Sequence, residues 1–313
     1  MGLSKSFLVI WFVVAAAHAA DAQQSPMSAE IAAKLQEIGR VIDPPQTSQL
    51  YTPLQEQEPY RDVKVERDAK YGAADRNLLD IFMPATATSP RPVLIFVHGG
   101  GFVRGNKRAP GTPFNDNIML WAVKNGYIGV NITYRLAPQA VWPAGTEDVA
   151  AAVQWVSDQI VTRGGDPAHI YLMGHSTGAA HVADYVSRTD LHKVKAGGLA
   201  GAILVSGIYD MPATSVSDYR VYYGADPARY PEQSSLPGLL ATTIPLMAVA
   251  AELDPAGFMQ QFDMLKRASC ERASGCMRAV MLPQHGHMSE VYSINTADAR
   301  LGNEIVDFTK TGK

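Results

Sequence analysis

Residues 169–188 run HIYLMGHSTGAAHVADYVSR, and how this stretch is read decides the fold. Its first half, Ile170 to Met173, is apolar without alternation, as expected of a strand covered on both faces. Its second half, TGAAHVADYV, has helical spacing. Between them stands Gly174-His175-Ser176-Thr177-Gly178. Glycines two positions either side of a serine let a strand turn sharply into a helix, leaving the serine oxygen on a strained elbow beside the helix N-terminus. Gly and Ser are common loop residues, so the five residues alone say little. The strand before and the helix after make Ser176 a nucleophile and not merely a capping serine.

The same alternation extends outward. Short apolar runs recur as VLIFVHG (93–99), IGVNITY (128–134), GAILVSG (201–207), IPLMAVA (244–250) and RAVMLP (278–283). Helical patterns near 113–124, 146–162, 177–188, 256–268 and 289–309 separate them, which predicts an α/β fold with a mainly parallel central sheet and helices on both faces. Upstream, DVKVER (62–67) and LLDIFMP (78–84) flank AKYGAADRN, a spacing that suits an edge hairpin. Residues 209–240 break the rhythm with Tyr and Pro and predict a small irregular cap. The domain is expected over 61–313, preceded by an N-terminal arm over 23–60 that carries one helical pattern, SAEIAAKLQEIGRVI, and packs over the domain.

Two further groups fall at strand ends, where an α/β sheet places its ligands. His98-Gly99-Gly100-Gly101-Phe102 follows VLIFV. Consecutive glycines expose main-chain N–H groups to a developing oxyanion, so Gly99 and Gly100 are candidate donors, with the N–H of Thr177 as a third. No G-x-x-x-x-G-K-[ST] or G-x-G-x-x-G spacing is present to suggest a phosphate cradle. Asp254 in AELDPAGF follows IPLMAVA, and His287 in QHGHMSE follows RAVMLP. Chain order is then Ser176, Asp254, His287, the order of α/β-hydrolases. Glu252 competes as the acid, but Pro255 favours an extended Asp254 before a new helix. His285 competes as the base, but His287 abuts the next helical pattern. Phe102, Trp142 and His175 are candidate substrate-binding residues, and the tyrosines of 219–230 offer further apolar wall.

Hydrophobic residues make up 47% of the 313, enough for a sizeable core. A formal net charge of −3 without Lys or Arg runs gives no footprint for nucleic acid. The opening MGLSKSFLVIWFVVAAAHAADAQQS places Lys5 before an apolar run and then small residues, the pattern of a signal peptide over 1–22, with cleavage after Ala19 or Ala22. The run is shorter than the ~20 residues needed to cross hydrocarbon, so no stable membrane insertion is expected and the product is exported, periplasmic or secreted. Export makes an oxidising compartment, in which Cys270 and Cys276 are expected to pair. No cysteine or histidine spacing suggests a metal site, and no cofactor is implied. Oligomeric state is not legible.

Taken together, HGGGF (98–102), YRLAP (134–138), PAGTEDVAAAVQWV (143–156), GGDPAHI (164–170) and GHSTG (174–178) resemble bacterial α/β-hydrolase carboxylesterases related to hormone-sensitive lipase. The resemblance covers roughly residues 62 to 309. It implies an oxyanion hole at Gly99 and Gly100, a nucleophile at Ser176, an acid at Asp254 and a base at His287. His175 and Thr177 stand where many relatives carry Asp and Ala, and the GHMSEV segment looks more like the feruloyl-esterase and kynurenine-formamidase branch. The implied activity is hydrolysis of short-acyl or aromatic esters of small molecules through an acyl-enzyme. An arylformamidase or amidase with the same triad is the alternative, followed by a non-catalytic binding scaffold.

Overall fold

The computed structural model describes residues 27–86, 89–108, 111–212, 219–272 and 275–312; the expected leader lies outside them. Eight strands, β1 (Val63–Lys70), β2 (Leu78–Pro84), β3 (Arg91–Val97), β4 (Ile128–Ile132), β5 (Gly165–His175), β6 (Gly201–Val205), β7 (Leu246–Leu253) and β8 (Arg278–Gly286), form one sheet. Their order is β1-β2-β4-β3-β5-β6-β7-β8. β1 and β2 pair antiparallel at one edge, and β2 runs antiparallel to β4; every later neighbour is parallel. The expected edge hairpin and parallel centre are both found.

Parallel neighbours need crossovers, and helices supply them. The helices are α1 (Ala29–Ile38), α2 (Pro44–Tyr51), α3 (Asp116–Lys124), α4 (Ala144–Gln159), α5 (Thr177–Ser187), α6 (Arg220–Tyr223), α7 (Tyr230–Gln233), α8 (Leu236–Ala241), α9 (Ala256–Cys270), α10 (Ser289–Tyr292) and α11 (Arg300–Thr311). Successive strand side chains point to opposite faces, and the two cores follow that alternation. Val93, Ile95 and Val97 join one core with Val149 and Val153 of α4 and Val182 of α5. Leu94 and Phe96 join the other with Ile118 of α3 and Ile305 and Phe308 of α11. Each of these side chains is at most 1% exposed, and full burial of one contributes about 1.5–3 kcal/mol. This two-faced burial is why the strands read as unbroken apolar runs.

The helical pattern expected over 289–309 is interrupted. α10 ends after one turn, and Asn295 takes a positive φ of 69°. Local side chains capture the backbone in between: Thr296 Oγ1 donates to the Ser293 carbonyl at 2.6 Å and accepts from Asp298 N–H at 3.2 Å. Such bonds offer the chain an alternative to helix. Cys270 and Cys276 form a disulfide at the end of α9. Among the described residues no helix is long and apolar enough to cross a membrane.

The arm is tied to the domain by burial and polar contacts. Leu35 of α1 packs on Leu253 at the end of β7, and the Gln55 amide donates to the carbonyls of Tyr292 and Ile294 at 2.8 and 2.9 Å.

Candidate active site

β5 ends at His175 and α5 begins at Thr177, which leaves Ser176 alone on the turn with φ 57° and ψ −127°. A non-glycine residue there costs on the order of 1–3 kcal/mol and persists only when its surroundings enforce it. The Ser176 N–H donates to the Val205 carbonyl at 2.9 Å, fastening the turn to β6. The flanking glycines permit the close approach. A Cβ on Gly178 would lie 2.1 Å from the Val97 carbonyl oxygen, and one on Gly174 would lie 2.4 Å from the Gly178 carbonyl oxygen.

The glycine loop after β3 runs beside this turn. A Cβ on Gly99 would come within 2.9 Å of Ser176 Cβ and 3.5 Å of its Oγ. Gly100, with φ 135°, accepts main-chain bonds from Val103 and Arg104 and closes the loop over itself. His98 is not a free base. Its ring stacks on Tyr134 at 4.5 Å, its Nδ1 lies 2.7 Å from the Gly99 carbonyl, and burial lowers its pKa to about 4.

Asp254 leaves β7 just before α9, and His287 leaves β8 just before α10. His287 Nδ1 is 2.8 Å from Asp254 Oδ1. The other carboxyl oxygen accepts from Ser206 Oγ at 2.5 Å and from Ala251 N–H at 2.9 Å. Burial pushes the Asp254 carboxyl up, but the bonds and charge of His287 and the two further donors outweigh it, so it titrates below the ordinary range. A carboxylate only accepts, so Nδ1 carries the imidazole proton and Nε2 carries the lone pair. Among the described residues that Nε2 is buried without a partner. His287 and Ser176 line one cavity of about 810 Å³.

The competing residues are occupied elsewhere. Glu252 is exposed and accepts from Gln284 N–H at 2.7 Å. His285 spends both ring nitrogens, on Ser289 Oγ at 3.0 Å and Asp298 Oδ2 at 3.1 Å.

Two of the residues expected to bind substrate lie off the cavity wall. Phe102 stacks on Tyr222 at 4.4 Å under the cap and is 1% exposed. Trp142 donates from Nε1 to Asp184 at 3.0 Å and lies under the Arg188 guanidinium. Both are drawn into cap packing, because the buried Asp184 needs a donor and the Tyr219–Tyr223 cluster needs apolar cover. His175 does border the cavity, but its Nε2 donates to the His287 carbonyl at 2.8 Å. The wall is built instead from Phe114, Phe258, Tyr219 and Tyr292, together with Ile42 and Pro44 of the arm. The helical pattern read through Ile42 ends at Ile38, and no periodicity marked the residues after it; the paired prolines at the start of α2 were the available hint.

One cluster has metal-like composition: His175, His287 and Glu290 each bring a ligand-type atom within 4.8 Å of the others. His175 Nε2 carries a proton for the His287 carbonyl, and His287 Nδ1 carries one for Asp254. The His175 Nε2 proton is thus committed to a main-chain carbonyl, whereas His287 Nε2 keeps its lone pair.

The eight-stranded sheet, its crossovers and the strained serine turn give the chain the α/β-hydrolase fold. Residues 79–196 match the family model described as BD-FAE. Probable isoprenylcysteine alpha-carbonyl methylesterase ICMEL1 of Oryza sativa subsp. japonica is 33% identical over 161 residues, covering 51% of this chain and 34% of that protein. Esterase LipQ of Mycobacterium tuberculosis is 42% identical over 119 residues, 37% of this chain and 27% of that protein. The match thus spans about a third or less of these curated relatives. The solved hyperthermophilic esterase from Pyrobaculum calidifontis superposes with a TM-score of 0.69 at 19% identity, covering 91% of this chain and 98% of that one. The resemblance drawn from the sequence motifs is borne out, and the fold is the one it implied.

Proposed function

We propose that the protein is a serine carboxylic ester hydrolase acting on short-acyl or aromatic esters of small molecules. One observation carries the proposal: a buried imidazole nitrogen with a free lone pair borders the same cavity as a serine held on a strained turn. The esterase names of the relatives support it.

In this mechanism Ser176 Oγ attacks the ester carbonyl carbon while its proton passes to His287 Nε2. Asp254 holds the proton on Nδ1 and stabilises the imidazolium. The carbonyl oxygen gains charge beside the N–H groups of Gly99, Gly100 and Thr177, donors of the kind that contribute about 10²–10³-fold each. The leaving alcohol takes the proton from Nε2, and the acyl-enzyme remains. Water then gives a proton to His287 and attacks the acyl carbon, and the acid leaves as the acyl–Oγ bond breaks and Ser176 Oγ takes that proton back from Nε2. None of these steps calls on a metal or cofactor.

The aromatic wall of Phe114, Phe258, Tyr219 and Tyr292 supports esters with a compact apolar or aromatic group. Export to the periplasm or beyond belongs to the same proposal and is supported by the Cys270–Cys276 disulfide. Parallel assays on 4-nitrophenyl acetate, methyl ferulate and N-formylkynurenine test the bond type. Turnover of the two esters, abolished in S176A, supports the proposal; turnover confined to N-formylkynurenine replaces it with formamide hydrolysis.

A further inference from the structure

Behind His287 lies a buried acid that the mechanism above leaves unused. Glu290, on α10, is 0% exposed, and neither of its carboxyl oxygens has a hydrogen-bond partner among the described residues. Its Oε1 is 3.2 Å from His175 Nε2, but the proton on that nitrogen is directed to the His287 carbonyl. Ser206 lies beside it as well, with its own proton committed to Asp254 Oδ2. Two carboxyl groups therefore share one dry region, and only Asp254 has the donors that an anion requires.

We propose that Glu290 and His175 are positioning residues for ester hydrolysis, bracing the catalytic imidazole from its main-chain side while Asp254 holds it through Nδ1. The inference rests on the esterase reading and extends it.

The brace has two arms. His175 follows Gly174 at the end of β5, so its ring is anchored by the strand that also presents Ser176. Its Nε2–H grips the carbonyl of His287, and the two rings lie 4.7 Å apart. The nucleophile's strand and the base's loop are thereby joined one residue from Ser176. Burial lowers the His175 pKa to about 3, so the ring stays neutral and adds no charge that would oppose an imidazolium on His287. In the second arm, burial first and then the charge of Asp254 push Glu290 well above the ordinary carboxyl range. A neutral Glu290 has an O–H to give. Ser206 Oγ, having donated to Asp254, retains lone pairs that can take it, and Glu290 would then polarise the hydroxyl that Asp254 depends on. The groups facing Glu290 are His175 on β5, Ser206 after β6, Tyr209 beyond it, Asp254 after β7 and His287 after β8. Asp254 is the one carboxylate in this set.

The test compares H175F, H175N, H175Q, E290M and E290Q with the parent enzyme, using 4-nitrophenyl acetate from pH 5 to 9 and a thermal melt for each variant. H175F removes the donor, H175N is too short to reach the carbonyl, and the H175Q amide nitrogen stands where Nε2 stood. H175F and H175N are expected to lose kcat about tenfold or more, as misplacement of a catalytic group does, with KM within about twofold. H175Q is expected to recover most of the loss. E290M is expected to lose kcat comparably. E290Q, which keeps a neutral donor, is expected to recover it and leave the acid limb of kcat/KM where the parent has it. A folded H175N with parental kcat overturns the His175 arm. An acid limb displaced to lower pH in E290Q overturns the Glu290 arm, because it means that a negative charge was removed from beside the imidazole. If H175F or E290M fails to fold, H175N and the E290Q acid limb decide. Ester turnover that survives S176A sinks the esterase reading itself, so the two failures are distinguishable.

Discussion

His287 Nδ1 lies 2.8 Å from Asp254 Oδ1, and the opposite nitrogen of the same ring is buried with no partner among the described residues. The pairing fixes the tautomer. It also leaves one lone pair in a cavity bordered by Ser176, where a serine proton is the natural occupant. Removing either end of this relationship should have a large and specific effect.

Ser176→Ala should lower ester turnover by about 10⁴-fold or more, because single triad deletions cost nearly as much as removal of the whole triad. The melting temperature should hold or rise, since loss of the side chain does not disturb the glycine packing around the turn. Steady-state kinetics with a parallel melt checks both.

The two acids of the E-x-D-P stretch should separate cleanly. Asp254→Asn leaves the shape intact but frees the imidazole to adopt the wrong tautomer, and kcat should fall by about 10⁴-fold. Glu252→Gln, on an exposed residue that accepts from Gln284 N–H, should stay within about threefold. A dead Glu252 variant beside an active Asp254 variant would reverse the assignment.

Gly99→Ala should damage catalysis more than stability. The added methyl would meet Ser176 Cβ at 2.9 Å and the His175 carbonyl oxygen at 3.0 Å, so the turn or the loop must shift. Displacing the donor from the oxyanion should cost about 10²–10³ in kcat. A variant that melts near the parent and turns over at the parental rate would argue against this loop as the oxyanion hole.

Asp184 gives a pH prediction beneath the cap. Burial raises its carboxyl to about 6, against the bonds it accepts from Thr146 and Trp142 and the nearby charge of Arg188. The folded value lies above the unfolded one, so the native state holds the proton more tightly and loses stability as pH rises from about 4 through about 6. Asp184→Asn cannot ionise. Its melting temperature relative to the parent should climb over that interval and level off above it, with a total effect of up to about 3 kcal/mol. A difference independent of pH would mean that Asp184 is ionised at little cost.

Much of this was legible in the sequence, for a physical reason. The central strands were visible because strands sandwiched between helix layers are apolar on both faces, the polar edge strand β1 was visible through its hairpin spacing, and the serine turn was visible because its geometry admits only glycine at Gly174 and Gly178. The choice of Asp254 over Glu252 followed from Pro255, and the structure pairs Asp254 with His287. What escaped depended on contacts between distant segments. Phe102 and Trp142 have the composition of a substrate wall, but their destination under the cap is set by Tyr222 and Asp184. Ile42 and Pro44 border the cavity only because the arm docks on Leu253 and Tyr292. The break between α10 and α11 lies in side-chain capture of the backbone near Thr296, which apolar periodicity does not register.

The central claim, that Ser176 is a nucleophile activated by His287, is tested most directly by labelling the folded protein with a fluorophosphonate and mapping the adduct by peptide mass spectrometry. A single adduct on Ser176, slowed by several orders of magnitude in His287→Ala, is the expected result. Ester turnover with no adduct on Ser176, or equal labelling of the parent and the His287 variant, would contradict it.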